Sequence, residues 1–344
     1  MINSWLARFP STPRLVKAQD VAVLAAWPGL LVWLDLLKRL AVQTTLVVFA
    51  VFLTKQAALA GYLSSVGVVA VRALTVTATT VLLWRGGRWR LWQDMGLHKT
   101  DTAWLDLAAG FLIMAIAQTV ILATLLLTRS VQVQWSVVSW SGAIKVLAEA
   151  LLLWALVAWG EELWTRGVWL QAIARGYWLA RRPHGARRLP QPGAVARLAG
   201  ALVSSLFFAL MHGMNAHVSG AALVGIFIGG MFLAYGFVCS DALWLPIGMH
   251  LGWNLFEGTV YGFPVSGAGV AHLMSVSLTG PAWLTGGAFG PEAGVAAVPA
   301  LLLAFVLIAA YTSQGHDGEQ KKRCAARLKD SFVSLVAMIG FMRV

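Results

Sequence analysis

The sequence has few charged residues and few cysteines, and its beginning shows no obvious targeting segment. Charged side chains make up 12% of the 344 residues, whereas soluble domains have roughly 25%. Two cysteines, Cys239 and Cys324, are too few for a disulfide framework. Residues 1–20 lack the compact apolar core and small-residue cleavage site of a secretory signal. These absences argue against a soluble domain and a disulfide scaffold, and we expect no removable signal peptide.

The sequence instead contains several long apolar runs. Hydrophobic residues make up 59% of the chain, and the mean hydropathy is +0.74. A helix needs roughly 20 apolar residues to cross a bilayer. The clearest candidates are 103–127, 144–159 with its continuation, 222–239 and 294–311. The sequence therefore predicts an all-α fold, a polytopic transmembrane helical bundle with about eight spans.

The basic residues are concentrated in short loops and in the C-terminal tail. Residues 258–311 contain neither Lys nor Arg. This distribution is the positive-inside pattern, which places the basic loops and the C-terminus in the cytoplasm. Anionic lipid headgroups are a sufficient partner for the net charge of +12. We therefore expect a lipid bilayer around the protein and no nucleic-acid partner.

The N-terminal part has the least regular pattern. We expect the runs 41–62 and 64–84 to span the membrane. The run 21–37 contains Pro28 and Asp35, and spanning would put the basic N-terminus outside, against the positive-inside pattern. We expect this run to be re-entrant or to lie at the membrane interface.

The segment EELWTR, residues 161–166, places ionisable side chains at the end of an apolar run. A charged side chain at the centre of a bilayer costs at least about 2.5–3.5 kcal/mol. Glu162 and Arg166 are four residues apart, which places them on one helix face as an ion pair. Glu161 is rotated by about 100° from Glu162, so its carboxylate is left available. For an isolated pair, a structural polar contact between helices is an equally good interpretation.

Two other apolar helices carry histidines. FALMH ends at His212, and HLGWN begins at His250 and ends at Asn254, which lies on the same helix face. At about 1.5 Å per residue from the nearest basic loop, Glu161 and His212 lie roughly 20 Å deep and His250 roughly 12–15 Å. A single buried histidine is more often a hydrogen-bonded core residue than a catalyst. Three polar sites at similar depth, however, favour one common site.

These residue types suit the hydrolysis of an amide by water. Glu161 and His212 can act as general base and later protonate the leaving amine. His250 and Asn254 can donate hydrogen bonds to the oxyanion, a role worth roughly 3–4 kcal/mol per donor. Zinc could instead use a His₂Glu set, but the HExxH arrangement is absent and an amide is a poor zinc ligand. We expect no cofactor, with zinc on Glu161, His212 and His250 as the alternative.

Taken together, the three segments resemble the EExxxR, FxxxH and HxxxN motifs of the CPBP family of intramembrane proteases. This family includes the CaaX prenyl proteases and bacteriocin-processing or immunity (Abi-like) proteins, and many of its members carry a metalloprotease label. The resemblance covers about residues 100–312. The stretch GGAFGPEAG, 286–294, is also similar to bacterial members. We interpret it as the start of the last helix, where Pro291 and Glu292 suit the first turn.

The resemblance implies a role for each motif residue. It makes Glu161 and His212 the activators of water, and His250 with Asn254 the oxyanion hole. The remaining motif residues are Glu162 and Arg166, which take the positions of the structural ion pair, and Phe208, which takes that of a wall of the site.

We therefore expect an intramembrane endopeptidase of a bacterial inner membrane, which hydrolyses a peptide bond of a membrane-associated protein or peptide. The expected regions are an N-terminal membrane region with a basic cytoplasmic loop (1–100), the protease core (101–312) and a basic cytoplasmic tail (313–344). One alternative is a proton-coupled transporter, because intramembrane Glu and His also build proton relays. The chain lacks the paired broken helices of such transporters. The other alternative is a non-catalytic immunity or scaffold protein of the same family.

Overall fold

The computed structural model describes residues 28–61, 63–85, 89–136, 139–179 and 192–313. The helices, in chain order, are α1 (Pro28–Leu59), α2 (Ser65–Trp84), α3 (Leu91–Asp94), α4 (Ala103–Leu127), α5 (Trp140–Glu162), α6 (Gln171–Leu179), α7 (Ala194–Met211), α8 (Gly220–Ser240), α9 (Trp244–Asn254), α10 (Ala282–Thr285) and α11 (Ala297–Ser313). The other elements are two π-helical segments (Leu163–Leu170 and Leu255–Val260), three 3₁₀ turns (His212–Met214, Gly287–Phe289 and Pro291–Ala293) and two strands, β1 (Val131–Trp135) and β2 (Met274–Leu278).

The described residues include six helices that are long and apolar enough to cross a membrane. Their bounds are Trp33–Leu59, Ser65–Trp84, Ala103–Leu127, Trp140–Gly176, Ala194–Met214 and Gly220–Ser240. Helix α11 is apolar but shorter, as is α9 with the π-helical segment that follows it. The predicted all-α, polytopic helical bundle is confirmed. The predicted region boundaries stay predictions, and residues 1–27 and 314–344 lie outside the described residues.

Helix α1 corrects the prediction for the first apolar run. Residues 28–37 do not form a separate segment, because α1 continues from them without a break to Leu59. Arg39 does not interrupt the helix, since its Nε lies 2.9 Å from Asp35 Oδ2 one turn earlier. Its guanidinium also donates to the carbonyl oxygen of Leu83 in α2. Local pairing therefore lets the basic residue stay within a continuous helix.

A two-stranded ribbon is the one β-sheet in the part of the chain that the structure describes. Strands β1 and β2 are antiparallel, with Val131 opposite Leu278 and Trp135 opposite Met274. The sequence analysis did not predict it, because each strand has only five residues and lies between much longer apolar runs. The ribbon joins the chain after α4 to the chain after α9.

Helix α9 packs against α4 at a distance that only glycine permits. A Cβ atom on Gly248 would lie 2.1 Å from the carbonyl oxygen of Leu107. A Cβ atom on Gly252 would lie 2.4 Å from the carbonyl oxygen of Phe111. Small residues allow such close backbone approach between membrane helices. Because the two glycines flank His250, this contact fixes where the HLGWN motif lies in the bundle.

We predict that Gly248→Ala destabilises the protein, because its Cβ forces α4 and α9 apart. Overpacking of this kind costs about 1–3 kcal/mol. The matched control is Gly229→Ala in α8, where a Cβ meets nothing within 4 Å, so stability should hold or rise slightly. Thermal unfolding of both purified variants in detergent measures the difference. Equal melting temperatures would show that the α4–α9 contact is not as close as described.

Candidate active site

Two of the three motifs lie where a helix changes from α-helical to π-helical geometry. Helix α5 gives way to a π-helix at Leu163, directly after the two glutamates, and α9 does so at Leu255, directly after Asn254. π-Helical turns are rare and occur frequently at functional sites. Regular α-helical spacing, on which the sequence predictions rest, carries no signal of either transition.

Glu162 and Arg166 form a fully buried ion pair. Arg166 Nη1 lies 2.9 Å from Glu162 Oε1, and both side chains are 0% exposed. The same guanidinium donates to Thr165 Oγ1 at 2.7 Å and to the carbonyl oxygen of Gly230 in α8 at 2.8 Å. Its central carbon lies 4.7 Å from the centre of the Phe208 ring, within cation–π range. The structure thus brings together the two residues that the i, i+4 spacing pairs.

His250 lies between the two adjacent glutamates. Its Nδ1 is 2.8 Å from Glu162 Oε1, and its Nε2 is 3.8 Å from Glu161 Oε2. Because Glu162 is paired with a guanidinium, its carboxylate accepts and the His250 Nδ1–H donates. The bond fixes the ring orientation and directs Nε2 towards Glu161. Sequence reasoning did not foresee that Glu162 binds His250 as well as Arg166.

The two glutamates differ sharply in exposure. The side chain of Glu161 is 37% exposed, whereas that of Glu162 is fully buried. The Thr165 hydroxyl donates to the backbone carbonyl of Glu161 at 2.5 Å, and not to the Glu161 carboxylate. Glu161 is therefore the carboxylate that a substrate or water can reach.

Asn254 lies one turn beyond His250 on the same face of α9. It is only 4% exposed. Its amide group offers two N–H donors and one carbonyl acceptor.

His212 lies at the end of α7, where the chain turns into a short 3₁₀ segment. Its Nδ1 is 2.8 Å from the carbonyl oxygen of Phe208. A carbonyl only accepts, so Nδ1 donates and Nε2 carries the free lone pair of the neutral ring. The Phe208 ring is 4.6 Å from the His212 ring and 6.1 Å from the His250 ring. Phe208 thus lies next to both histidines.

A cavity of about 260 Å³ opens beside His250 and Phe208. Helices α8 and α11 contribute most of its wall, and the side chains are chiefly apolar, among them Val224, Ile228, Leu233, Val298 and Leu301. From the sequence we expected one common site for the four predicted catalytic residues. Of these four, only His250 lines this cavity.

Two more glutamates, neither of which we had predicted to be part of the site, lie close to the motifs. Glu257 is fully buried and accepts a hydrogen bond from Gln118 Nε2 at 3.1 Å. It follows His250 by seven residues, so the same-face argument applied to Asn254 could have identified it. Glu292 also lines the cavity, but it belongs to a separate 3₁₀ turn and α11 begins only at Ala297. The prediction that 286–294 starts the last helix is therefore wrong.

The predicted zinc ligands do not form a metal-binding group. Across residues 28–313 as far as the structure describes them, no three His, Cys, Asp or Glu side chains come together as metal ligands. His250 Nδ1 is bound to Glu162, which leaves Nε2 as its available ligand nitrogen. Zinc on Glu161, His212 and His250 stays the alternative prediction.

A known protein family covers the segment that contains all three motifs. Residues 143–256 match the family model described as Rce1-like, type II CAAX prenyl endopeptidase. The match confirms, for this segment, the family resemblance carried by EELWTR, FALMH and HLGWN. No curated protein and no solved structure matches the chain. Helices α1, α2, α4 and α11 lie outside the matched segment.

We predict that Glu162→Gln lowers the free energy of unfolding by about 3–5 kcal/mol, because it leaves the buried Arg166 charge without its partner. Chemical or thermal unfolding of the purified variant provides the measurement. Glu161→Gln is the matched control, since it alters the adjacent and partly exposed carboxylate and should change stability by less than about 0.5 kcal/mol. If both variants lose the same stability, the ion pair is not what stabilises this region.

Proposed function

We propose that this protein is an intramembrane endopeptidase in which Glu161 and His212 activate a water molecule. At family level, the match of residues 143–256 supports a CAAX-type endopeptidase. The observation that carries the finer proposal is the position of His250, whose two ring nitrogens face Glu162 and Glu161 at 2.8 and 3.8 Å. Asn254, one turn away, supplies a second donor.

In the first step, the carboxylate of Glu161 or Nε2 of His212 removes a proton from water. The water oxygen then attacks the carbonyl carbon of the peptide bond. The negative charge that develops on the carbonyl oxygen is stabilised by the Asn254 amide and by His250. In the second step, the C–N bond breaks and the same base returns the proton to the amine. Two products, a carboxylic acid and an amine, leave the site.

The hydrogen bond to Glu162 determines how His250 acts. Because its Nδ1–H is donated to Glu162, the ring has a second donor at Nε2 only when it is protonated. The neighbouring carboxylates favour that charged form. A positively charged donor then faces the oxyanion. Glu162 is therefore a positioning residue, whereas Glu161 is the accessible base.

The cavity indicates which part of a substrate lies next to the cleaved bond. Its chiefly apolar wall, next to His250, favours an apolar side chain or a lipid group. This supports a membrane-associated protein or peptide as substrate. We place the protein in a bacterial inner membrane with the basic loops and the C-terminus in the cytoplasm, on the positive-inside pattern. A proton-coupled transporter and a non-catalytic scaffold are the alternatives, and no contact in the site favours either.

We predict that Glu161→Gln abolishes peptide release from membranes, because a positioned general base contributes about 10²–10⁴ in rate. The measurement compares, by mass spectrometry, the peptides released from membranes with the wild-type protein and with the variant. Glu149→Gln is the matched control, since it alters an exposed glutamate on the same helix and should release the wild-type peptides. Identical peptides from the wild type and Glu161→Gln would overturn the catalytic assignment.

We further propose that the reaction needs no metal ion, and predict full activity without stoichiometric zinc. The measurement is elemental analysis of active, purified protein, together with activity before and after chelator treatment. Stoichiometric zinc, with activity lost to chelator and restored by Zn²⁺ alone, would contradict the proposal.

A further inference from the structure

One face of helix α8 forms a wall of the cavity beside His250. The α8 residues that line this cavity follow one another at intervals of one, three and four positions, which places them on one side of the helix. They include Val224, Gly225, Ile228, Gly229, Phe232 and Leu233. The facing wall comes from the start of α11 and includes Val298 and Leu301. The cavity is therefore a slot between α8 and α11.

The slot is closed at both ends by contacts between its two walls. At one end, the backbone of Glu292 meets α8 so closely that a Cβ on Gly225 would lie 1.8 Å from the Glu292 carbonyl oxygen. At the other end, the rings of Tyr235 and Phe305 stack, with their centres 4.9 Å apart and an angle of 25° between their planes. Gly225 and Tyr235 are ten residues apart, so the slot is about 15 Å long.

Between these two contacts the slot opens sideways, at the surface of the bundle. Val224, Ile228 and Val298 line it and are 59%, 46% and 49% exposed, whereas His250 at its inner side is 6% exposed. Helix α8 is long and apolar enough to cross a membrane, so exposed apolar side chains along it face lipid. The slot therefore leads from the lipid to His250.

Gly229 keeps the middle of the slot open. It lies between the two closing contacts, one turn from Gly225, and it lines the cavity. A Cβ atom at Gly229 would meet nothing within 4 Å, whereas one at Gly230 would lie 3.0 Å from Ser205 Cβ in α7. Close packing against α7 thus requires the second glycine but not the first. A side chain at position 229 would occupy the slot instead.

The lining of the slot suits a hydrocarbon chain better than a peptide segment. Of the described residues that line it, three have side chains with hydrogen-bonding groups, namely His250, Trp253 and Glu292. The Glu292 carboxylate already accepts two hydrogen bonds from Ser266. An extended peptide would bring an N–H and a C=O group for each residue, and these groups need partners in an apolar setting. A hydrocarbon chain has no such groups.

The size of the slot limits the length of that chain. A cavity of about 150 Å³ binds benzene, so the 260 Å³ available here hold hydrocarbon of about ten carbon atoms. Lipid tails are as apolar as the wall of the slot, so a chain gains little free energy when it leaves the bilayer. The slot therefore selects chains by their fit rather than by hydrophobic attraction.

We propose that the slot is a lateral opening through which a hydrocarbon chain carried by the substrate enters from the bilayer, and that Gly229 determines how long a chain it accepts. The chain lies between α8 and α11, with the attached peptide next to His250. Cleavage of that peptide rests on the proposed function, whereas entry of the chain does not. Helix α11 lies beyond the matched segment, so one wall of the slot belongs to the C-terminal region.

The first readout is photolabelling, which needs no turnover. The probe is a short peptide whose cysteine carries a dodecyl chain with a diazirine at its far end, added to the purified protein in phosphatidylcholine nanodiscs. Mass spectrometry locates the labelled residues after irradiation. We expect labels on α8 and α11 at residues that line the slot, and we expect an excess of the same peptide without the diazirine to prevent them.

The variant Gly229→Leu tests the role of the glycine. The leucine side chain has four carbon atoms, so the slot should then hold about six carbons instead of about ten. We expect labelling of the slot by the dodecyl probe to fall about tenfold, because the longer chain overfills the space. Labelling by a hexyl probe should stay within about twofold of the wild type.

Two further variants control for position and for folding. Gly220→Leu makes the same substitution in the same helix, where a Cβ also meets nothing within 4 Å, but outside the slot, and should behave as the wild type. Val298→Trp adds bulk from the opposite wall and should reproduce the effect of Gly229→Leu. Melting temperatures of all three variants show whether each is folded.

The second readout is cleavage of the same peptides without the diazirine. We expect Gly229→Leu to lower kcat/KM by about tenfold for the dodecyl peptide and by no more than about twofold for the hexyl peptide. Both values should match the wild type in Gly220→Leu. An equal loss for the two peptides would contradict a role of Gly229 in chain length.

Each outcome of the labelling separates this inference from the proposed function. Labels that lie outside the slot, or that the excess of unlabelled peptide does not reduce, would overturn the lateral opening even if the peptide is cleaved. Equal labelling by the dodecyl probe in the wild type, Gly229→Leu and Val298→Trp would do the same. If the chain-length effect is present but the wild type cleaves neither peptide, the slot is confirmed and the proposed function loses its support.

Discussion

The buried ion pair between Glu162 and Arg166 is the interaction on which the rest of the site depends. One guanidinium reaches Glu162, the Gly230 carbonyl in α8 and the Phe208 ring in α7. It therefore connects three helices that are distant along the chain. The same Glu162 oxygen binds His250 in α9. Because unpaired charges are so costly in an apolar interior, the helices that carry the motifs have little freedom to move apart.

This pairing also gives the two adjacent glutamates different environments. Glu161 and Glu162 have the same side chain, but only Glu162 is bound to a guanidinium and fully buried. Its negative charge pairs with Arg166, and its hydrogen bond to His250 orients that ring. Glu161 stays partly exposed and has no such partner within hydrogen-bonding distance in the described residues. Different environments thus suit two like carboxylates to different functions, a pattern known from enzymes with paired acids.

The sequence could predict those features that depend on spacing within one helix. The i, i+4 rule identified the partners Glu162 and Arg166, and the same rule placed His250 and Asn254 on one face. It could not predict contacts across the bundle: Glu162 and His250 are separated by 88 residues. Motif resemblance brought those two into one site but gave no hydrogen bond between them. The π-helical transitions were missed because periodicity analysis assumes a regular helix.

Other errors also arose where tertiary contacts override local pattern. Residues 28–37 of the run predicted to be re-entrant or interfacial are part of α1, because the Asp35–Arg39 pair and the Leu83 carbonyl satisfy the basic side chain. Glu292 suited a helix start by its position after Pro291. Its carboxylate instead accepts from Ser266, 26 residues earlier. In both cases a distant backbone or side-chain group decides the structure.

Helix α8 joins the two polar clusters of the site through glycines. Gly230 offers its carbonyl to Arg166, and a Cβ there would lie 3.0 Å from Ser205 Cβ in α7. Gly225, five residues earlier, makes room for the backbone of Glu292. A side chain at either position would displace one of the clusters. The positions of Arg166 and Glu292 are therefore set by close backbone approach to the same helix, so any displacement of α8 would disturb both sides of the site together.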